Sequence, residues 1–365
     1  MAYTRVYAFL RYGAGTVPAR IPSIFSMRNV FLLIGLYSLV CQVSAQSLNL
    51  LQSGRGTSIR ALSVVDDSVA WVSGSKGWVG HTTDRGKTWQ WQQLEAYTAL
   101  DFRDIEAFSA QRAVIVSAGT PAIVLLTTDG GKTWKETYHN DAPEIFLDGM
   151  DFWDGNRGII YGDPIANRMQ LLETRDGGEH WTSITDNLKE PLREGEASFA
   201  ASGTAIRTVK GGHVWIVTGG TASRLFYSAD YGQHWTVTPC SLTQGKSSTG
   251  GFSVLFADAR NGVVAGGDYA ADTVRTDNFR LTRDGGKTWH KPTIAPLGFR
   301  SGVERIAKNT LLATGTSGTD ISHDGGKRWQ RLAADGFHVV RRSKQGSWVL
   351  LAGGGGRIAE FVPAK

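Results

Sequence analysis

Eight side chains of this sequence have the types to do chemistry together, provided the fold brings them to one place: Arg60, Arg103, Asp163, Glu196, Arg224, Asp268, Tyr269 and Arg300. A guanidinium offers two parallel N–H donors to the two oxygens of a carboxylate. Arg60, Arg103 and Arg300 could therefore clamp an acid on a peptide or a glycan. Tyr269 with Glu196 could supply an activated phenolate. Asp163 with Asp268 could act as a hydrolytic carboxylate pair if they converge to about 5–10 Å. The histidines show no metal-ligand spacing. Gly353 to Gly356 lies between strands, with no dinucleotide fingerprint leading into a helix. Neither a metal nor a cofactor is expected.

Only Asp268 and Tyr269 are neighbours in sequence, so the elements that position the rest decide everything. Those elements come from a repeat. A segment of the form Thr82-x-Asp84-x-Gly86-x-x-Trp89 recurs five more times, at Asp129/Trp134, Asp176/Trp181, Asp230/Trp235, Asp284/Trp289 and Asp324/Trp329. The Asp-to-Asp spacings are 45, 47, 54, 54 and 40 residues, the period of a four-stranded propeller blade. Each copy follows a short β-rich run such as Ile123 to Leu126. Each therefore reads as a hairpin turn, in which Asp accepts turn amides, Gly takes a positive φ and Trp folds back over the hairpin. A lone Asp per turn is a poor calcium ligand set, because calcium takes six to eight oxygens.

Six repeats leave material over. Runs at 337–340, 347–351 and 357–362 read as three more strands, and 47–51 as one. Together they form a seventh blade that joins the two ends and removes an exposed sheet edge. A six-bladed ring with a ragged tail is the alternative. The fold expected is thus all-β: a seven-bladed propeller over residues 46–365, with six repeat-bearing blades. In such a ring the first strand of each blade lines the channel. Its start shares one face, the mouth, with the loop between strands 2 and 3. Aligning the blades puts Arg60, Arg103, Asp148 and Arg300 at strand-1 starts, and Asp163, Arg224, Asp268, Tyr269 and Asp320 in the loops. The long insertion 187–204 adds Glu196. The plainer expectation is that these charges pair with each other around a water-filled channel.

The repeat resembles the Asp-box, or BNR, repeat. That resemblance implies a turn joining the third and fourth strands at the outer edge, away from the mouth. Blade 1, with Ile59 to Val65 and Val69 to Gly74, resembles the photosystem II assembly/stability factor family of seven-bladed propellers. The resemblance implies a non-catalytic scaffold that docks a membrane protein or its assembly intermediate. Asp-boxes also occur in sialidases and xyloglucan-cleaving glycosidases, so a glycan-hydrolysing reading stands as the alternative. The Arg20-Ile21-Pro22 match to the sialidase motif lies in the leader and is a decoy. A purely structural interaction module is a third reading.

Residues 1–45 read as a leader. Arg28 is followed by an apolar run from Val30 to Val40, and Val43-Ser44-Ala45 offers a small-residue cleavage site. Met27 is an alternative start. Val40 before Cys41 argues against lipidation, and an exported protein, periplasmic or secreted, is expected. Of the net charge of +6, four units are leader arginines. The remainder is nearly neutral and has no Lys/Arg run, which argues against nucleic acid. Cys240 is the single cysteine beyond the leader, so no internal disulfide is expected. A monomer is expected.

Overall fold

The computed structural model describes residues 46–364. The leader, with its signal, cleavage site, Met27, Cys41 and Arg20-Ile21-Pro22, lies outside the described residues. Seven antiparallel sheets follow one another. Blade 1 runs through Ile59–Val64, Ala70–Gly74, Trp78–Thr82 and Gln90–Gln93. Blades 2 and 3 begin at Asp101–Ala107 and Leu147–Phe152. Blades 4, 5 and 6 begin at Ile206–Val209, Thr249–Phe256 and Gly302–Ala307. Blade 7 consists of Val339–Arg342, Val349–Ala352 and Ile358–Val362, closed by Ser47–Gln52 pairing with Ile358–Val362. The expected closure of the ring is present.

The middle strands are apolar along their whole length because each blade is covered on both faces by its neighbours. Ala122–Thr127 is buried throughout. The core therefore lies between blades. One cluster joins blades 7 and 1 through Leu350, Trp348 and Val72, and another joins blades 1 and 2 through Trp71 and Phe102. A large one spans blades 3 to 5 around Trp215, Phe226 and Phe256, and holds Cys240. Burial pushes the Cys240 thiol pKa well up, so it is an inert core residue.

All six boxes are turns between the third and fourth positions of their blades. In the first, the Thr82 hydroxyl donates to Asp84 Oδ1 at 2.8 Å and accepts from the Gly86 amide at 3.0 Å. Thr88 donates to Asp84 from its amide at 2.9 Å and from its hydroxyl at 2.6 Å. His180 and His234 replace that second hydroxyl with Nδ1, at 2.7 and 2.6 Å. The boxes also staple the ring. A Cβ on Gly131 would touch Trp71 of blade 1, and one on Gly286, whose φ is 93°, would press into Leu225 of blade 4. Trp71 in turn donates from Nε1 to the Ser109 carbonyl of blade 2 at 3.0 Å. Trp329 is fully buried, while Trp89, Trp134, Trp181, Trp235 and Trp289 are half-buried.

Two features depart from the regular pattern. Blade 5 gains two short inner strands, Glu196–Ala197 and Gly219–Gly220, and its fourth strand shrinks to one bridge between Leu281 and His290. The channel is also not the water-filled pore expected, because residues 198–204 cross it.

Candidate functional site at the channel mouth

The first strands of blades 1, 2, 3 and 5 slip register at the same place. The shifts fall between Ile59 and Ala61, Phe102 and Asp104, Leu147 and Gly149, and Gly251 and Ser253. The residue skipped is in turn Arg60, Arg103, Asp148 and Phe252. A β-bulge re-aims the extra side chain, and here it turns four side chains toward the ring axis. His338 enters at the same level of blade 7, where its amide donates to Ala352 O at 2.8 Å.

The insertion between blades 3 and 4 fills the axis. Ser198 N donates to Asp163 at 2.9 Å, and the Ala200 amide faces Asp148. Ala201 O accepts from Arg60 Nη1 at 3.2 Å, and Gly203 O accepts from Arg341 at 3.0 Å. Ser202 donates to Ser301 O at 2.6 Å, and Thr204 to Ser253 Oγ at 2.7 Å. Asp104 of blade 2 lies against Gly203. Every blade other than the fourth, into which the segment runs, therefore grips it.

Above this plug lies a cavity of about 340 Å³ lined by Arg60, Arg103, Phe199, Phe252, Tyr269, Phe299 and His338. Phe199 stacks on Phe252 at 3.9 Å, and Phe299 meets Phe252 edge-on at 4.7 Å. Tyr269 stands 6.1 Å from Phe252 and is 51% exposed, so its ring is open to a partner. Arg103 pairs with Asp101 at 3.3 Å, but its Nε is enclosed without an acceptor. His338 is driven down to about 4 by burial, then by Arg60, and is therefore neutral at pH 7; it contacts Ser58 Oγ at 3.2 Å. Burial raises the Asp148 carboxyl pKa well above its ordinary value, with Asp163 adding to it. Asp163 is itself raised by burial. The mouth thus presents two guanidinium groups beside an aromatic wall.

Other sequence candidates sit elsewhere. Arg300 is fully buried in blade 6, donating to Asp320 from Nε and Nη2 at 3.0 and 2.5 Å and to Phe299 O at 2.6 Å. It does not join Arg60 and Arg103, so the three-arginine clamp does not form. Asp320 is equally enclosed, and its Oδ1 also lies 3.2 Å from Arg331 Nε as an ion pair. Arg224 and Glu196 form a second buried pair at 2.7 Å, with Glu190 at 3.0 Å, which ties the insertion to blade 4. Glu196 therefore cannot activate Tyr269. Asp268 caps the turn holding Tyr269 by accepting from Ala270 N at 2.9 Å. Asp163 is likewise committed to Ser198. Among the described residues, no group of three His, Cys, Asp or Glu side chains is placed to hold a metal ion. Phe199, Phe252, Phe299 and His338 escaped the sequence reading, which named Tyr269 but aligned charges alone at the strand-1 starts. The same alignment reaches Phe252 and His338.

Comparison with known proteins agrees with this architecture. The family described as photosynthesis system II assembly factor YCF48 matches residues 44–143, and the BNR/Asp-box repeat matches residues 280–291. The photosystem II assembly lipoprotein Ycf48 of Synechococcus sp. (strain CC9902) is 23% identical over 260 residues, 62% of this chain and 73% of the relative. A solved structure of YCF48 bound to D1 peptide superposes with a TM-score of 0.63 at 16% identity, covering 88% of this chain and 99% of that one. A GH74 xyloglucanase from Xanthomonas campestris reaches 0.59 at 15% identity, covering 86% of this chain and 53% of its own. At such identities the solved structures speak for the fold alone. By its six boxes and its closed ring, the chain is a seven-bladed propeller built on Asp-box repeats, and it is similar to the photosystem II assembly factors.

Proposed function

We propose that this chain is an exported, non-catalytic assembly scaffold, working as a monomer, that receives a segment of a protein partner at the channel mouth. The observation that carries this reading is the pairing of Arg60 and Arg103 with Phe199, Phe252, Phe299 and exposed Tyr269 around one cavity. Guanidinium groups suit an acidic side chain or chain end, and aromatic rings supply rigid contact area. The names of the relatives support a protein partner, since one is a photosystem II assembly lipoprotein and another was solved with a D1 peptide. The name of the lipoprotein relative also supports export, and cleavage near Ala45 is part of the proposal. A membrane protein or its assembly intermediate is the partner class proposed.

A glycan-hydrolysing reading has less support. Arg300 is buried, Glu196 is paired with Arg224, and Asp163 and Asp268 are each committed to a backbone amide. A photo-crosslinking residue at position 269 of the mature protein tests the proposal. With periplasmic and solubilised membrane fractions, one polypeptide should form an adduct that Arg60→Ala/Arg103→Ala abolishes. Turnover of xyloglucan or sialosides without such an adduct would favour the hydrolase instead.

A further inference from the structure

The missing outer strand of blade 5 has a cause in the sequence. Leu281 and His290 exchange both backbone hydrogen bonds, at 2.9 and 2.8 Å. Two residues further on, Pro292 comes opposite Phe279 and has no N–H to donate. Arg280 Nη1 takes the Phe279 carbonyl instead, at 2.9 Å. The chain then leaves blade 5 and stitches onto blade 6. Thr293 and Ile294 donate to Lys327 O at 2.7 and 3.2 Å, and Trp329 N donates back to Ile294 O at 3.1 Å.

What remains is a cleft of about 720 Å³ between blades 5 and 6 on the box face, opposite the mouth. Its volume falls in the range of about 300–1,000 Å³ usual for ligand clefts. Val263, Leu281 and Leu311 give it an apolar lining, and Arg283, Lys291, Arg305, Lys308 and Lys327 line it with positive charge. Its two acids are occupied by turns: Asp258 accepts the Arg260 and Asn261 amides at 2.8 Å, and Asp324 closes the sixth box. Lys291 pairs with Asp277 at 2.9 Å. Among the described residues, Arg283, Lys308 and Lys327 make no ion pair, and Arg305 Nε is enclosed without an acceptor.

We infer that this cleft is a second docking site, for an extended peptide segment that alternates acidic and aliphatic side chains. Charge complementarity requires the acids, which would meet the unpaired cations. The apolar lining requires the aliphatic residues, and an extended chain presents the two kinds to opposite sides. Val263 and Leu311 are already buried in the core between blades 5 and 6, and a polyanion without apolar side chains would leave the half-buried Leu281 uncovered. The site is separate from the mouth and does not depend on its function.

The test uses mature protein and a fluorescein-labelled ten-residue peptide alternating Glu with Leu, read by anisotropy. Binding should weaken roughly tenfold in Lys308→Glu/Lys327→Glu, whose surface positions leave the melting temperature unchanged, and should fall with added salt. It should be untouched in Arg60→Ala/Arg103→Ala. The same peptide with Lys for Glu should not bind. Absence of binding, binding insensitive to the charge reversals, or loss in the mouth variant instead would each overturn the inference. So would a heparin oligosaccharide that binds the cleft more tightly than the peptide.

Discussion

At the residue scale, the boxes and the mouth respond to acid in separate ranges. Thr88 holds Asp84, and Thr133 holds Asp129, down at about 2 through side-chain and backbone hydrogen bonds. An unfolded aspartate titrates near about 3.9, so the stability these boxes add is present above that value and is lost as pH falls toward 2. His338, lowered to about 4 by burial and Arg60, is neutral in the fold and titrates near about 6.5 when unfolded. Its contribution is lost as pH falls from about 6.5 through 4. Asp104, raised to about 8 by burial, acts in the opposite sense, since its cost grows as pH rises. The informative quantity is therefore a difference. The melting temperature of His338→Gln should fall less than that of wild type between pH 7 and 4, and the two should run parallel below pH 4. Parallel curves throughout would remove His338 from this role. A second expectation separates structure from binding. Arg300→Leu leaves the buried Asp320 with Arg331 as its one remaining cation and should cost about 3 kcal/mol in denaturant unfolding. The folded fraction should bind a mouth ligand as wild type does.

At the element scale, the plug is the main surprise. Blade boundaries were legible because Gly and Trp recur every 40 to 54 residues, and each box builds the same turn from groups two to four residues apart. The path of 187–204 was not legible. The side-chain hydrogen bonds that tie 198–203 to the blades reach residues 35 to 141 positions away, such as Asp163, Ser301 and Arg60, and no local pattern encodes them. The bulges were half legible: alignment found Arg60 and Arg103, but reading charges alone passed over Phe252 and His338. It also put Arg300 at the mouth, whereas its neighbours Phe299 and Ser301 line the cavity and Arg300 is buried against Asp320. If the plug is held as described, amides 198–204 should exchange with deuterium as slowly as blade strands, and Asp163→Ala should speed exchange at 198–200. Exchange of 198–204 as fast as the exposed turn 272–277 would contradict the grip.

At the scale of the whole molecule, closure by Ser47–Gln52 makes the ring one cooperative scaffold with two distinct faces. The mouth draws its lining from blades 1, 2, 5, 6 and 7 and from the insertion. No blade alone contains the site, which is why the sequence showed the fold far more fully than the site. The cleft between blades 5 and 6 depends on one proline interrupting one ladder, and the two sites can act independently. The measurement that tests the central claim most directly is the affinity of the mature protein for the peptide segment recovered from the position-269 adduct. It should be compared across wild type, Arg60→Ala/Arg103→Ala and Lys308→Glu/Lys327→Glu. The mouth variant should lose roughly tenfold or more, as expected for central anchor residues, with the cleft variant unchanged. Equal affinity in wild type and the mouth variant would contradict the assignment of the mouth as the docking site.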